Sequence, residues 1–370
     1  MPVEYRIDWK SAAGVKLAEI TDYRTATVAK QVNDPGRVEV ALRADHPLCS
    51  QLADKQQVEV WRRWPELGLD WYLFHGAIFR DEVWETLEDG QQIVTLGCPG
   101  QLAILDWSLN AYAAGTANKT VWTSVRAETL MKQLVTNNCT SSATTGNGRD
   151  RTRLTAGALN GVTIAVQADA GGGNLVSYES ARGNVLAELK RVWDLGAGGD
   201  FDLIKTGAAA WEFRFYAGQR GTDRSASVTF STDYGTMGRP KLTINRTSER
   251  TAAIVAGQGQ KGARVVRTRT GANYVAASND VEVLVDGRNA ATTAALDSLG
   301  DKKLSELRSR AKLSFTPLQT PARLLDRDYT LGDKVASRFR SLTFTHQIWA
   351  IQAALAPGRD EELSITLRDL

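Results

Sequence analysis

RTATVAKQVNDPGRVEV, from Arg24 to Val40, is echoed without a gap by RTAAIVAGQGQKGARVV, from Arg250 to Val266. The two stretches share Arg24/Arg250, Thr25/Thr251, Ala26/Ala252, Gly36/Gly262 and Val40/Val266. The echo continues in the same order: Leu52-Ala-Asp-Lys is answered by Leu331-Gly-Asp-Lys, Trp71 to His75 by Leu342 to His346, and Gln92 to Leu96 by Leu363 to Leu367. A repeat changes the reading of a whole fold, because each copy is one structural unit. This one predicts a β-module carried twice, the second copy split by an insertion.

The chain has 370 residues, 42% hydrophobic and 24% charged, which suits two or three globular domains. Its net charge of +3, from 45 basic and 42 acidic residues, provides no strong field for nucleic acid or an anionic membrane. Cys49, Cys98 and Cys139 are an odd number without CxxC spacing, which predicts buried free thiols in a protein matured in a reducing cytosol. MPVEYRIDW at the start reads as a strand, so no signal peptide is expected. No apolar run approaches the ~20 residues of a membrane span, and a soluble chain is expected.

Residues 1–100 read as β-structure. Val38 to Leu42, Val58 to Trp61 and Ile93 to Leu96 are alternating or β-branched, and Asn33-Asp-Pro-Gly36 and Glu88-Asp-Gly90 carry turn chemistry. Trp71 to Trp84 reads as one long strand, apolar on both faces. From residue 101 the period becomes helical: Ala127, Leu130, Met131, Leu134 and Val135 predict a helix capped by Thr123 or Ser124, and Ser180 to Leu195 predicts a second, closed by Gly196. Residues 137–175, with the basic run Arg149 to Arg153 and the triplet Gly171 to Gly173, are expected as long exposed loops. A strand at Val281 to Val285 and a helix from Ala290 to Lys312, with Gly300 as its weak point, fill the insertion. The expected domains are therefore 1–100 as the first module, 101–240 with 269–326 as a mixed α/β middle, and 241–268 with 327–370 as the second module.

No catalytic, cofactor-binding or metal-binding residue is assigned. Gly257-Gln-Gly-Gln-Lys-Gly262 matches GxGxxG, with Asp280 and Glu282 about 20 residues on, but the β-branched Arg264-Val-Val-Arg-Thr-Arg-Thr270 that follows predicts a hairpin instead of the helix a dinucleotide needs. His46, His75 and His346 show no zinc spacing, and the matched places of His75 and His346 in the two copies point to packing. A Ser-His-Asp arrangement stays open, without a GxSxG elbow to support it. Asp81-Glu82 and Glu361-Glu362 read as solvated turns, and Asp326-Arg-Asp328 lacks the rest of a calcium loop. The Arg149 to Arg153 run has no interleaved aromatics and reads as a solvated loop. Of the ten tryptophans, Trp61, Trp71, Trp84 and Trp211 fall in strand patterns, where burial is the usual fate.

The chain resembles the baseplate hub family of tailed bacteriophages, in particular the siphophage tail-tip hub or tail-associated proteins. The resemblance rests on Asn33-Asp-Pro-Gly-Arg-Val-Glu-Val40, on Gly257 to Gly262 with Arg264, on Tyr329-Thr-Leu-Gly-Asp-Lys-Val335, and on the split second module. It implies a mainly β fold with α+β insertions: two tail-tube-like sandwich or barrel modules, the second discontinuous, and a mixed α/β middle domain. It further implies a non-enzymatic homotrimeric ring with six tube-like domains, a symmetry adaptor between a six-fold tube and a three-fold tip. The implied partners are a distal tail protein or tube ring, a separate tip, fibre or spike chain, and the tape-measure protein, with no sequence-specific nucleic acid. The implied location is the virion tail tip, after assembly in the host cytoplasm. Relatives continue into peptidase, glycan-hydrolase or receptor-binding domains, and ending at Leu370 predicts that separate chains do those tasks. A carbohydrate- or receptor-binding tail protein is the alternative, with a cell-wall hydrolase behind it.

Overall fold

Alternation builds the hairpin from Thr25 to Arg43. In β3 (Thr25–Gln31) Ala26 and Val28 are buried, and in β4 (Asp34–Arg43) Val38, Val40 and Leu42 are buried, with Ala26 opposite Val40 and Val28 opposite Val38. Asn33 turns the chain at φ 57, and Gly36, at φ 65, sits where a Cβ would lie 2.2 Å from the Ala29 carbonyl oxygen. The register shifts beside it, so the Asn-Asp-Pro-Gly segment is both a turn and a bulge.

This hairpin is flanked by β1 (Glu4–Lys10) and β2 (Lys16–Ile20) before it, and by β5 (Gln57–Trp64), β6 (Leu69–Ile78), β7 (Asp81–Thr86) and β8 (Gln92–Pro99) after it. One sheet has the order β2-β1-β5-β6, with Ile7, Trp9, Ile20, Val58 and Val60 buried. The helical region that follows comprises β9 (Thr120–Arg126), α1 (Ala127–Cys139), β10 (Ala158–Leu159), β11 (Val162–Val166), β12 (Leu175–Ser180), α2 (Val185–Asp194), β13 (Gly199–Gly207) and β14 (Ala210–Ala217). Its sheet, β10-β11-β14-β13, shares one apolar core with α1 and α2, in which Leu130, Leu134, Leu189, Phe201, Trp211 and Phe213 are buried. The chain continues through β15 (Thr229–Ser231), β16 (Met237–Asn245), β17 (Ala252–Ala256), β18 (Val266–Thr270), β19 (Glu282–Asp286), α3 (Thr293–Glu306), β20 (Arg310–Pro317), β21 (Lys334–Phe339), β22 (Leu342–Leu355) and β23 (Glu362–Arg368).

This computed structural model describes residues 3–110, 112, 115, 119–144, 158–159, 162–288, 290, 292–320, 323–340 and 342–368. The Arg149 to Arg153 run lies outside them. The chain divides into two compact units: residues up to Pro240 together with Phe315–Leu367, and Lys241–Ser314. The long sheet has the order β16-β20-β23-β22-β3-β4-β8-β7, with β21 on β22 and β15 on β21. Ala353 faces Val28 and Leu355 faces Ala26, so the late strand β22 is zipped onto the early strand β3. In the smaller unit β17 is central, antiparallel to β18 and parallel to β19, and α3 packs on β17 and β18.

Fold class follows the expectation: mainly β, with the α-helices of the described residues in the middle region and in the smaller unit. Several expectations need correction. β17 and β18 do not share a sheet with residues 327–370, because both edges of β17 are taken by β18 and β19, inside the smaller unit; of the span 241–268 only the end of β16, to Asn245, lies in the long sheet. By contrast β4, the counterpart of β18, pairs with β8. The span 137–175 is not all loop: α1 runs to Cys139, and Val162–Val166 is a strand parallel to β14. Neither Thr123 nor Ser124 caps α1; β9 runs to Arg126, and the Ala127 and Glu128 amides donate to the Asn174 and Gly172 carbonyls. The second helix is shorter, capped by the Asn184 side chain, and Gly196 closes it at φ 86. The third ends at Glu306, because Arg310–Pro317 alternates and buries Leu313 and Phe315 as a strand. Gly300 is a close-packing point: a Cβ there would lie 2.6 Å from Arg269 Cγ and 2.9 Å from Val255 Cγ2.

Candidate assembly surfaces

A protein that works by assembly carries its function on edges and exposed apolar residues. The aromatic stretch Trp71 to Trp84 is two strands, broken at Phe79 and Arg80, with different fates. β6 is largely covered, whereas all six residues of β7 are exposed. β7 pairs with β8 on one side and ends the sheet on the other, leaving backbone donors and acceptors available to another strand. Val83 is 56% exposed and Trp84 50% exposed, between Asp81-Glu82 on one side and Glu85 on the other. The Arg37 guanidinium ties Asp81 down at 2.9 Å, passing over Gly97, where a Cβ would lie 2.1 Å from the Asp81 carboxylate. An acidic edge with an exposed indole disfavours pairing with a like strand and suits a partner that is basic at its rim and apolar at its centre.

Trp84 therefore departs from the burial expected of it. Trp211 is buried with its Nε1 donating to Gln101 at 2.7 Å, and Trp61 and Trp71 are half-buried under the Arg6 guanidinium, 5.4 and 4.9 Å from their ring centroids. Aromatic content alone does not separate β7 from β6; three acids in a six-residue strand are the signal that does.

The residues singled out for chemistry lie apart. His75 on β6 faces Val60, and His346 on β22 faces Val335, each in the second strand of a hairpin, as matched packing positions would. Burial, then the positive charges of Lys30 and Arg220, hold the His75 pKa down at about 3, so the ring is neutral. His46 instead accepts from the Leu48 amide at 3.1 Å and caps a short 3-10 turn. Asp81 and Glu82 are exposed on β7, and Glu361 is committed to an ion pair with buried Arg62, so neither acidic pair forms a carboxylate dyad. Asp326 accepts from Thr330 at 2.6 Å and Tyr72 at 3.2 Å, and Asp328 from the Leu324 amide at 2.7 Å: a closed turn, not a calcium loop. Among the described residues no group of three or more His, Cys, Asp or Glu is placed to hold a metal ion.

Gly257 to Gly262 joins β17 to β18 as a hairpin loop, the Gly257 amide donating to the Val265 carbonyl at 2.8 Å. Its third glycine lies in a three-residue 3-10 turn before a strand, and Arg264 fills the mouth by donating to the Gly257 and Ala256 carbonyls. No helix N-terminus is present there to hold a pyrophosphate. Cys49 and Cys98 are free thiols; Cys98 and Cys139 are buried, whereas Cys49 is partly exposed, against the burial expected of it, and burial pushes the Cys98 thiol far up. No helix of the described residues is long and apolar enough to cross a membrane.

The model of the protein family described as Siphovirus ReqiPepy6 Gp37-like protein matches residues 15–367. No curated protein matches the chain. Among solved structures, the 43 kDa tail protein of prophage MuSo2 from Shewanella oneidensis aligns over 98% of this chain and 97% of its own, at 9% identity and a TM-score of 0.62. The tail protein from Neisseria meningitidis MC58 aligns over 99% and 96%, at 10% identity and a TM-score of 0.59. A chain of the Francisella PdpA-VgrG complex aligns over 99% of this chain and 57% of its own, at 10% identity and a TM-score of 0.53. At such identities the likeness is one of fold, and the fold is that of phage tail proteins.

Proposed function

The chain belongs to the Siphovirus ReqiPepy6 Gp37-like family, and from that premise we propose that it is the non-enzymatic structural hub of a siphophage tail tip. Three copies form a ring whose six β-modules meet a six-fold distal tail or tube ring on one face and a three-fold tip, fibre or spike chain on the other. The tape-measure protein is a further neighbour, inside the ring.

The observation that carries this reading is near end-to-end likeness to phage tail proteins. Two features support the module count. The hairpins β5–β6 and β21–β22 are matched in sequence order and in the placing of a histidine opposite a valine. The exposed β7 edge supplies one face for a neighbour. Two like but unequal modules per chain let a three-fold ring present near-equivalent contacts to a six-fold one. The matching Francisella chain is held in a PdpA-VgrG complex, which supports an assembled role here too.

Symmetry-resolved imaging of assembled tails tests this directly. Density for three copies at one level near the tip, against six of the adjoining ring, is the expected result. Six copies, a single copy, or a position on side fibres would overturn it. A single copy on a fibre, together with saturable binding to cell-wall glycan lost in Trp84→Ala, would instead establish the receptor-binding reading, for which the exposed indole is the favouring observation.

A further inference from the structure

Strands β3, β6 and β13 and the turn before β21 border a cavity of ≈ 200 Å³ within the larger unit. Its charged lining is unbalanced: Lys30, Lys205 and Arg220 against Asp34 and Asp202, with His75 neutral beside them. The acids are already engaged, Asp34 by Lys190 and Asp202 by Arg220, both at 2.6 Å. Lys205 is bound by Glu59 at 2.5 Å, but that carboxylate also serves Lys10 at 2.5 Å.

Lys30 is the poorly served cation. Its side chain is 11% exposed, and its ammonium donates to the Phe74 carbonyl at 3.1 Å and lies 4.0 Å from the Phe74 ring centroid. Its nearest carboxylate, Asp326, is 3.8 Å away and already accepts from Thr330 and Tyr72. An ammonium has three donors, and a buried one left short of acceptors is costly. On the same wall the His75 Nε2 is buried without a hydrogen-bond partner. Neutral imidazole with its proton on Nε2 would be a second donor.

We infer that this cavity binds a small oxyanion, a carboxylate or phosphate-type group, received by the Lys30 ammonium and the His75 Nε2–H with Arg220 adding attraction. Charge-assisted hydrogen bonds of this kind are short and strong in a partly desolvated site. The electrostatics agree with the geometry. Burial, and repulsion by Arg220 and Arg62, keep Lys30 below its usual range despite Asp326, and His75 is depressed for the same kinds of reason. Burial is the larger cause of both shifts, and the neighbouring positive charges add to it. This inference stands on the cavity alone and does not depend on the hub reading.

The test uses the full chain with sodium sulfate, phosphate and acetate, against sodium chloride at matched ionic strength. Sulfate and phosphate also stabilise proteins by exclusion from their surfaces, so calorimetric saturation and the difference from Lys30→Met are the readouts. Saturable heat for at least one anion, lost in Lys30→Met and weakened at least about 10-fold in His75→Phe, is expected. The His75 ring should also titrate higher by nuclear magnetic resonance when the anion is bound. A free ion gives this in a chain that stays monomeric. A carboxylate supplied by a neighbouring copy gives instead self-association that sulfate competes away and Lys30→Met abolishes. No saturable binding to any of the three in a monomeric chain, or binding undiminished in both variants, overturns the inference. Should Lys30→Met fail to fold, Arg220→Gln reports the same loss.

Discussion

Arg62 and Glu361, 299 positions apart, form a two-point ion pair: Nη2 to Oε1 at 2.5 Å and Nε to Oε2 at 3.0 Å, with the guanidinium fully buried. Tyr5 donates to the same carboxylate, and Arg62 also donates to Tyr72 at 2.8 Å. This knot clamps the β5–β6 hairpin to the turn that opens β23. Removing one partner leaves the other charge buried and uncompensated. Glu361→Ala should therefore lower stability to urea by about 3–5 kcal/mol, while Arg62→Met with Glu361→Met should recover much of the loss.

His75 makes stability depend on pH in a known direction. Its folded pKa of about 3 lies below the ordinary 6.5, so the unfolded chain takes up a proton that the folded chain refuses. Stability from this source is full above pH 6.5 and is lost progressively as pH falls from there towards 3. Between pH 6.5 and 5, before most carboxylates titrate, the slope should reach up to about 1.4 kcal/mol per pH unit and flatten in His75→Gln. Urea midpoints measured across that window check it.

Gly300→Ala tests whether packing outweighs propensity. In an open helix the change would stabilise by about 1 kcal/mol. Here the added methyl would press on the flank of Val255 and the stem of Arg269, whose guanidinium is held by Asp301 at 2.7 Å and 2.9 Å. A net loss of about 1–2 kcal/mol is expected in thermal unfolding.

Val83→Glu and Trp84→Lys separate stability from assembly. Both residues are exposed on β7, so the isolated chain should unfold within about 0.5 kcal/mol of the wild type. Incorporation into tails, measured by immunoblot of purified particles, should fall sharply if β7 meets a neighbour through an apolar centre. Normal incorporation of both variants would remove β7 from the interface.

Legibility followed the range of the forces involved. Alternating and β-branched runs located β4, β5 and β8, and helical spacing located the buried stripe of α1, because both depend on residues a few positions apart. The Gly257 to Gly262 hairpin was readable for the same reason: the β-branched residues after it do not open a helix. The N-terminus of α1 was not, since its caps are carbonyls of Gly172 and Asn174, more than forty residues on. Nor was the exposure of Trp84, because an aromatic strand reads alike whether or not another strand lies beyond it.

By itself the sequence determined that this is a mainly β chain without a recognisable catalytic motif, and that it carries matched hairpins, each with a histidine. Tertiary structure decided which strands share a sheet. It removed β17 and β18 from the second module by occupying both edges of β17, set β22 against β3 across more than three hundred residues, and left β7 open. The physical reason is that alternation specifies only which face of a strand is buried. Its hydrogen-bonding edges are the same for every sequence, so the partner at each edge is chosen by the packing of the whole unit.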